Sequence, residues 1–285
     1  MKSLITGFKG QLGYDIKREL IKRGFNNIIA LDKEEMDITN KENVFDVILK
    51  ENPDVIFHCA AWTNVEKAEE LEELVYNVNV SGTKYITEAA ERINAKIIYI
   101  STDYIFDGTK DGLYEIDDIP NPISVYGKTK YLGEQEVMKY DKHFIVRISW
   151  VFGINGSNFI KTMLKLSQKT TELNIVGDQH GSPTYTLDLA RLLVDMSQTT
   201  KYGTYHATNE EYCSWVEFAK YIFEINNINV KVNSIKTSEY PTKAFRPLNS
   251  KLSKKSLTEN NFEQLPSWKD AVERFQIELE KEVNL

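Results

Sequence analysis

The chain reads as an α/β protein: a doubly wound parallel sheet followed by a smaller, α-rich C-terminal part. Three observations predict this. Through the first 150 residues, short apolar runs alternate with stretches of helical periodicity, the pattern of βαβ crossovers that cover both faces of a parallel sheet. Between the first run and the first helical stretch lies Gly7-Phe8-Lys9-Gly10-Gln11-Leu12-Gly13, a G-x-x-G-x-x-G turn. Asp32 then ends the second run, 19 residues past Gly13, close to the ~20 at which such sheets place an acid. Together these specify a Rossmann-type sheet.

Strands are expected at residues 3–6, 27–31, 55–59, 96–100 and 144–149. Between the first two, Leu12, Ile16 and Leu20 repeat at helical spacing, and Gly24 stands where a left-handed cap would end the helix. Thr39 and Glu42 have capping-box spacing and open a helix through Val44, Val47 and Ile48 that stops before Pro53. A long helical region covers about 65–94. Beyond Trp150 the alternation gives way to a helix near 158–169, the loop GDQHGSPT, and a helix from about Leu187. Ser214 and Glu217 then form a second capping box, opening WVEFAKYIFEI. The expected division is a first domain, residues 1–150, to which about 185–208 returns, and a second part, 151–285.

At 285 residues and 32.9 kDa the chain is long enough for such a core without cross-links. A net charge of -7 and a pI near 5.3 give no basic footprint, so nucleic acid is not an expected partner. Cys59 and Cys213, far apart and outside any C-x-x-C, read as reduced, buried thiols of a cytosolic protein. The opening MKSLITG is too short an apolar run for a signal peptide, and no stretch approaches the ~20 apolar residues of a membrane helix. The expected location is the cytoplasm, away from any membrane. His58, His143, His180 and His206 show no metal-ligand spacing, and no G-x-S-x-G elbow is present, so neither a metal site nor a serine hydrolase is expected.

In the glycine turn, Gly7 permits the tight bend, Gly10 lets backbone approach a diphosphate, and Gly13 lets the helix pack close to the strand. The helix's first N–H groups then face the phosphates at its positive dipole end, and a dinucleotide fits. Asp32 would meet the adenosine ribose hydroxyls and repel a 2′-phosphate, which favours NADH; the neighbouring Lys33 keeps NADPH open. Asp37 and Ile38 are placed to reach the adenine. Gly127-Lys128-Thr129 mimics the end of a Walker loop, but position 122 is proline and no strand precedes it, so a nucleotide triphosphatase is excluded.

Open parallel sheets bind ligands beyond the carboxyl ends of their strands. There the chain places Ala60 and Ala61, small enough for a ribose to lie against, the hydroxyls of Ser101 and Thr102, and Trp150. Of 15 tyrosines only Tyr126 has a lysine four residues on, in SVYGKTK. On a helix Tyr126 and Lys130 share one face. An ammonium favours phenolate, so Lys130 is expected to draw the Tyr126 pKa down from about 10. With Thr102 fixing a carbonyl oxygen, Tyr126 would protonate it during reduction by a nicotinamide, while Lys130 holds the nicotinamide ribose.

The motifs GFKGQLG, CAAWTNVEKAEE, NVSGT, STDYIFDG, YGKTK and RISWVFG resemble the extended short-chain dehydrogenase/reductase superfamily. With NFIKTMLKL, DQHGSPT and RPLNSKL, nearly the whole chain resembles the dTDP-4-dehydrorhamnose reductase family. The resemblance implies a Rossmann-type domain, NADH or NADPH, and a nucleotide-sugar held by the C-terminal part. It also implies reduction of the 4-keto group of dTDP-4-dehydro-L-rhamnose to dTDP-L-rhamnose. By position it implies Tyr126 as proton donor with Lys130 and Thr102 as partners, and substrate contacts from Thr102, Asp103 and Trp150. Implied cofactor contacts are Gly10, Gln11, Leu12, Asp32, Asp37, Ile38, Ala60, Ala61, Trp62, Tyr126 and Lys130, beside Gly7 of the turn. Arg246 would meet the diphosphate. Some members dimerise through magnesium held by glutamates; Asp15 matches one such position, but Leu187 stands where another acid would be. That argues against a metal-bridged dimer and leaves a monomer or homodimer.

Rival readings share these motifs. Sugar dehydratases of the superfamily use an Asp-Glu pair after the threonine, and here Thr102-Asp103-Tyr104 lacks the elimination acid. An epimerase or a reductase of another nucleotide-sugar stays open at this level. So does a non-enzymatic binding role like that of the regulatory subunit of methionine adenosyltransferase, which resembles the same family.

Overall fold

The structure, a computed structural model, describes residues 1–283. In chain order its first part runs β1 (Ser3–Thr6), α1 (Gln11–Lys22), β2 (Ile28–Leu31), α2 (Lys41–Glu51), β3 (Val55–His58), α3 (Val65–Ala68), α4 (Glu72–Tyr76), α5 (Thr83–Arg92), β4 (Lys96–Thr102), α6 (Val125–Val137) and β5 (His143–Ile148). Then follow β6 (Val151–Phe152), α7 (Phe159–Ser167), β7 (Glu172–Val176), β8 (His180–Gly181), β9 (Thr184–Tyr185), α8 (Thr186–Ser197), β10 (Gly203–His206), β11 (Asn209–Glu210) and β12 (Cys213–Ser214). The chain ends with α9 (Trp215–Ile225), β13 (Lys231–Ile235), β14 (Asn249–Ser250), α10 (Lys255–Glu259), β15 (Leu265–Ser267) and α11 (Trp268–Val283).

Six strands form one parallel sheet in the order β10-β5-β4-β3-β1-β2. The chain leaves β1 for β2 on one side and crosses back to β3 on the other. The topological switch therefore lies between β1 and β3, where open α/β sheets take their ligands. Side-chain alternation splits the core into two layers. Ile5, Phe57, Ile98 and Val146 pack with Leu12, Ile16 and Leu20 of α1 and Leu189 and Leu193 of α8. Leu4, Ile56, Ile97 and Tyr99 pack with Val44 and Ile48 of α2, Ile86 of α5 and Val137 of α6. Burial on both faces is why the central strands carry continuous apolar runs such as Leu4-Ile5, Val55-Ile56-Phe57 and Phe144-Ile145-Val146 rather than alternating.

Two local expectations are corrected. The N-cap of α2 is Asn40, whose side chain accepts from the Asn43 N–H at 3.1 Å, whereas the Thr39 hydroxyl turns away and donates to Asp37 at 2.7 Å. The helical region expected over 65–94 is interrupted after α3, and a π-turn, Asn77–Gly82, joins α4 to α5 within one continuous helical run. Such turns absorb an extra residue inside a helical run and often sit at functional sites. Here it delivers the Asn79 side chain to the backbone of Trp62, accepting from its N–H at 2.8 Å and donating to its carbonyl at 3.2 Å.

The later half builds a second, aromatic core from Phe152, Tyr185, Phe218, Trp268 and Phe275. Around it are helices and short ladders: β7 with β13, β6 with β9, β11 with β15, and β8 between β12 and β14. The Ser214–Glu217 capping box opens α9. Part of this half lies in the first layer system, since α8 packs on α1 and β10 is the edge strand beside β5.

Candidate active site

A cavity of about 640 Å³ opens along the carboxyl ends of the main strands. Its floor is the glycine turn. Gly7 has a φ of 66°, and a Cβ there would stand 2.9 Å from the Ala60 backbone; a Cβ on Gly13 would stand 2.5 Å from the Gly7 carbonyl. Side chains at these positions would fill the space, so the sequence keeps a bare backbone cradle at the start of α1. The N-cap of that helix, Gly10, supplies no side-chain hydrogen bond, leaving the helix start for an anion. Gln11, Leu12, Asp37, Ile38, Ala60 and Ala61 line the same cavity. Asp32 lines it too, its carboxylate held by the N–H groups of Lys9 at 3.2 Å and Lys33 at 2.8 Å. The buried Ser101 hydroxyl, also in the lining, has no hydrogen-bond partner among the described residues. A dinucleotide fits this cradle, which offers a free helix start for phosphate, a carboxylate for hydroxyls and an orphaned hydroxyl for a polar group.

Trp62 follows Ala61 directly; its indole N–H turns back to the Asn64 carbonyl at 3.1 Å, and Asn79 holds its backbone.

The catalytic candidates meet at the end of β4. Thr102 accepts from the Tyr104 N–H at 3.2 Å and donates to Asp103 at 3.0 Å, and the Ser250 hydroxyl donates to the other oxygen of Asp103. Ser124 caps α6 by accepting from the Gly127 N–H at 3.1 Å. Gly127 then decides the packing: a Cβ there would stand 2.1 Å from the Tyr104 carbonyl, so only glycine lets α6 sit against this turn. The result is that Tyr126 lies beside Thr102, close enough for that hydroxyl to act on its phenol, and packs edge-on against Tyr104, their centroids 5.5 Å apart. Tyr126, Lys130, Thr102 and Asp103 all line the cavity.

The electrostatics differ from expectation. Burial pushes the Tyr126 phenol up to about 12; the Thr102 hydroxyl lowers it and the charge of Asp103 raises it. Lys130 does not pull it down, because the same burial draws the ammonium itself down to about 7, with Glu134 and Cys59 opposing. Desolvation outweighs the ion–phenol attraction that spacing alone suggested. A phenol in this state is protonated at neutral pH and releases its proton only to a strongly basic oxygen. Burial also raises the Asp103 carboxyl to about 6, against its bonds from Ser250 and Thr102.

On the other wall, Trp150 stacks on Trp215 with centroids 3.7 Å apart and planes 13° apart. Its φ of 49° is strained for a bulky residue. A Cβ on Gly181 would press 2.9 Å from the Trp150 ring, so the glycine gives the indole its seat. Trp215 lines a second cavity of about 270 Å³ together with Phe159, Leu166, Gln179 and Arg246. Arg246 is therefore not in the first cavity; its guanidinium donates to Glu66 at 2.9 Å.

The model of the RmlD substrate binding domain matches residues 1–280. The chain belongs to that family. A dTDP-4-dehydrorhamnose reductase of Aggregatibacter actinomycetemcomitans is 44% identical over 87% of this chain and 88% of its own length. Spore coat polysaccharide biosynthesis protein SpsK of Bacillus subtilis is 38% identical over 96% of each chain. The crystal structure of a dTDP-4-dehydrorhamnose reductase from Bacillus anthracis in complex with NADP superposes with a TM-score of 0.95 at 43% identity, covering 98% of this chain and 100% of that one.

Several residues that shape this RmlD-family cleft escaped sequence reasoning. Gly127 reads in the sequence only against a Walker loop, not as the residue that seats α6 on the Tyr104 turn. Asn79 lies in NVSGT, quoted only as a motif, and nothing in its periodicity announces a π-turn. Trp215 opens the capped helix α9, but its stacking partner is 65 residues away in the chain. Ser250 reaches Asp103 across 147 residues. These are contacts of tertiary distance, which spacing does not encode.

Proposed function

We infer that this RmlD-family chain reduces the 4-keto group of dTDP-4-dehydro-L-rhamnose to dTDP-L-rhamnose with NADH or NADPH, the activity for which its reductase relatives are named. The observation that carries the reading is the seating of α6 through Gly127, which brings Tyr126 against Thr102 beside a cradle built for a dinucleotide. Bound in that cradle, the reduced nicotinamide supplies hydride to the carbonyl carbon. Thr102 and Tyr126 hold the carbonyl oxygen between them. Tyr126, protonated at neutral pH, gives up its proton as negative charge develops on that oxygen. Lys130 holds the nicotinamide ribose. Gly7, Gly10, Gln11 and Leu12 receive the diphosphate, Asp37 and Ile38 the adenine, and Ala60 and Ala61 the ribose. Asp32, clamped by two backbone N–H groups, favours NADH over NADPH. Asp103 and Trp150 face the sugar. The second cavity behind the Trp150–Trp215 stack takes the nucleotide, with Arg246 leaving Glu66 for its diphosphate.

Asp15 is engaged by Arg18 at 2.7 Å and by Thr186, so we read the protein as a monomer or homodimer without a metal bridge, which light scattering would size. Among the described residues no helix is long and apolar enough to cross a membrane; we assign the protein to the cytoplasm.

The test is spectrophotometric. Adding a dTDP-4-keto-6-deoxy sugar should consume NADH or NADPH, and Tyr126→Phe should slow turnover by about 10²-fold or more. Full turnover in that variant would remove the proton-donor role from Tyr126.

A further inference from the structure

Lys130 is placed by more than its helix. Its ammonium lies 4.0 Å from the centroid of the Tyr99 ring, and the Tyr99 hydroxyl donates to the backbone carbonyl of Lys130 at 3.2 Å. Tyr99 is fully buried on β4, on the sheet face that α5 and α6 cover. Gly133 makes room for it: a Cβ there would stand 2.4 Å from the Tyr99 hydroxyl. Thus α6 carries Tyr126, Lys130 and Glu134 at steps of four along one stripe, and the glycine beside that stripe lets Tyr99 slide beneath the lysine.

We propose that Tyr99 is a positioning residue for the reduction, its ring face keeping the Lys130 ammonium charged and aimed into the dinucleotide cavity. The proposal rests on the reading of Lys130 as the ribose ligand. A buried ammonium loses its charge unless something compensates. The groups facing Lys130 are His58 and Cys59 from the end of β3, Tyr99 from β4, and Tyr126 and Glu134 from α6. His58 is neutral, drawn down to about 3 by burial and flanked by the hydroxyls of Thr6 and Thr83. Burial holds the thiol of Cys59 and the phenol of Tyr126 in their protonated forms. Glu134 supports the Lys130 charge but shares its carboxylate with Arg147 of β5, at 3.0 and 2.9 Å. The negative face of the Tyr99 ring adds to that support, and such contacts strengthen when water is excluded.

The experiment follows NADH binding by fluorescence against pH in the wild type, Tyr99→Phe and Tyr99→Met. Binding that needs charged Lys130 weakens as pH rises through the lysine's pKa. Tyr99→Met fills much of the volume without a ring and should move that break down by about one pH unit. Above both breaks, its NADH affinity should then be about tenfold weaker than that of the wild type. Tyr99→Phe keeps the ring and should leave the break in place. A methionine variant with the wild-type break, or a phenylalanine variant shifted as far as methionine, overturns the proposal. A second measurement needs neither cofactor nor a folded Tyr99 variant. In the wild-type proton spectrum the Lys130 ε-methylene, assigned by its loss in Lys130→Met, should lie upfield of the other lysines from the ring current of Tyr99. Finding it among them overturns the proposal. Wild-type protein that binds no NADH at any pH would instead defeat the ribose-ligand reading, while the methylene shift still decides the placement of Tyr99.

Discussion

On the dinucleotide side of the cleft, position is set by backbone and by charge sealed inside the protein. Glycines 7, 13 and 127 bring chain segments into contact that any Cβ would separate, and the Arg147–Glu134 pair ties α6 to β5 with side chains 3% and 0% exposed. On the opposite side, position is set by stacked rings and a clasp at the surface. Trp150 lies on Trp215, Phe159 and Phe218 extend the stack, and Glu66 of α3 holds the 243–246 segment through the N–H groups of Lys243 and Ala244 and the Arg246 guanidinium. The difference teaches where precision is spent. Tyr126 and the glycine cradle are seated by close backbone approaches and a buried ion pair, whereas the opposite wall is held by ring stacking and a partly exposed ion pair.

The largest test of that contrast is Arg147→Met. It leaves Glu134 buried and unpaired, and unfolding by urea should show a loss of about 3–5 kcal/mol. The double variant Arg147→Met/Glu134→Leu should recover most of it. A single variant of wild-type stability would mean the sheet side is not locked by this pair. Acid supplies the next largest effect. His58 on β3 and His206 on β10 are buried and held neutral, each drawn by desolvation from 6.5 to about 3. A depressed histidine contributes stability that is full above its unfolded value and fades as pH falls toward the folded one. Between pH 7 and 5 each should cost about 2 kcal/mol, so acid should loosen the sheet before the aromatic core. Hydrogen exchange at the two pH values would show amides of β3 and β10 losing protection first; earlier loss in α9 and α11 would reverse the comparison. The smallest effect belongs to Glu66→Gln. The Arg246–Glu66 pair is about one-third exposed on each side, so stability should change by no more than about 1 kcal/mol. A loss as large as that of Arg147→Met would show that the clasp is structural after all.

The same contrast governs how much could be read from the chain. The first five strands and the helices between them were legible because each buries a continuous apolar run or stripe, a local signal of period two or 3.6. The glycine turn and Tyr126-x-x-x-Lys130 were legible because their partners are adjacent in sequence. Where partners are distant the text fell silent: the two-residue ladders β6, β8, β9, β11, β12 and β14 are too short to show a period, and the π-turn looks like helix until Asn79 is seen on Trp62. The Tyr126 proton was misjudged for a related reason. Spacing reports that a cation is near, but not that both groups lie where water is scarce.

Two of the four tryptophans, Trp150 and Trp215, lie nearly parallel at 3.7 Å, one lining each cavity. Electronic transitions of indoles this close are coupled, so the pair should give the protein a paired circular-dichroism band of opposite lobes. A ligand that turned one indole against the other would change the lobes, so the stack offers an unlabelled optical probe beside both cavities.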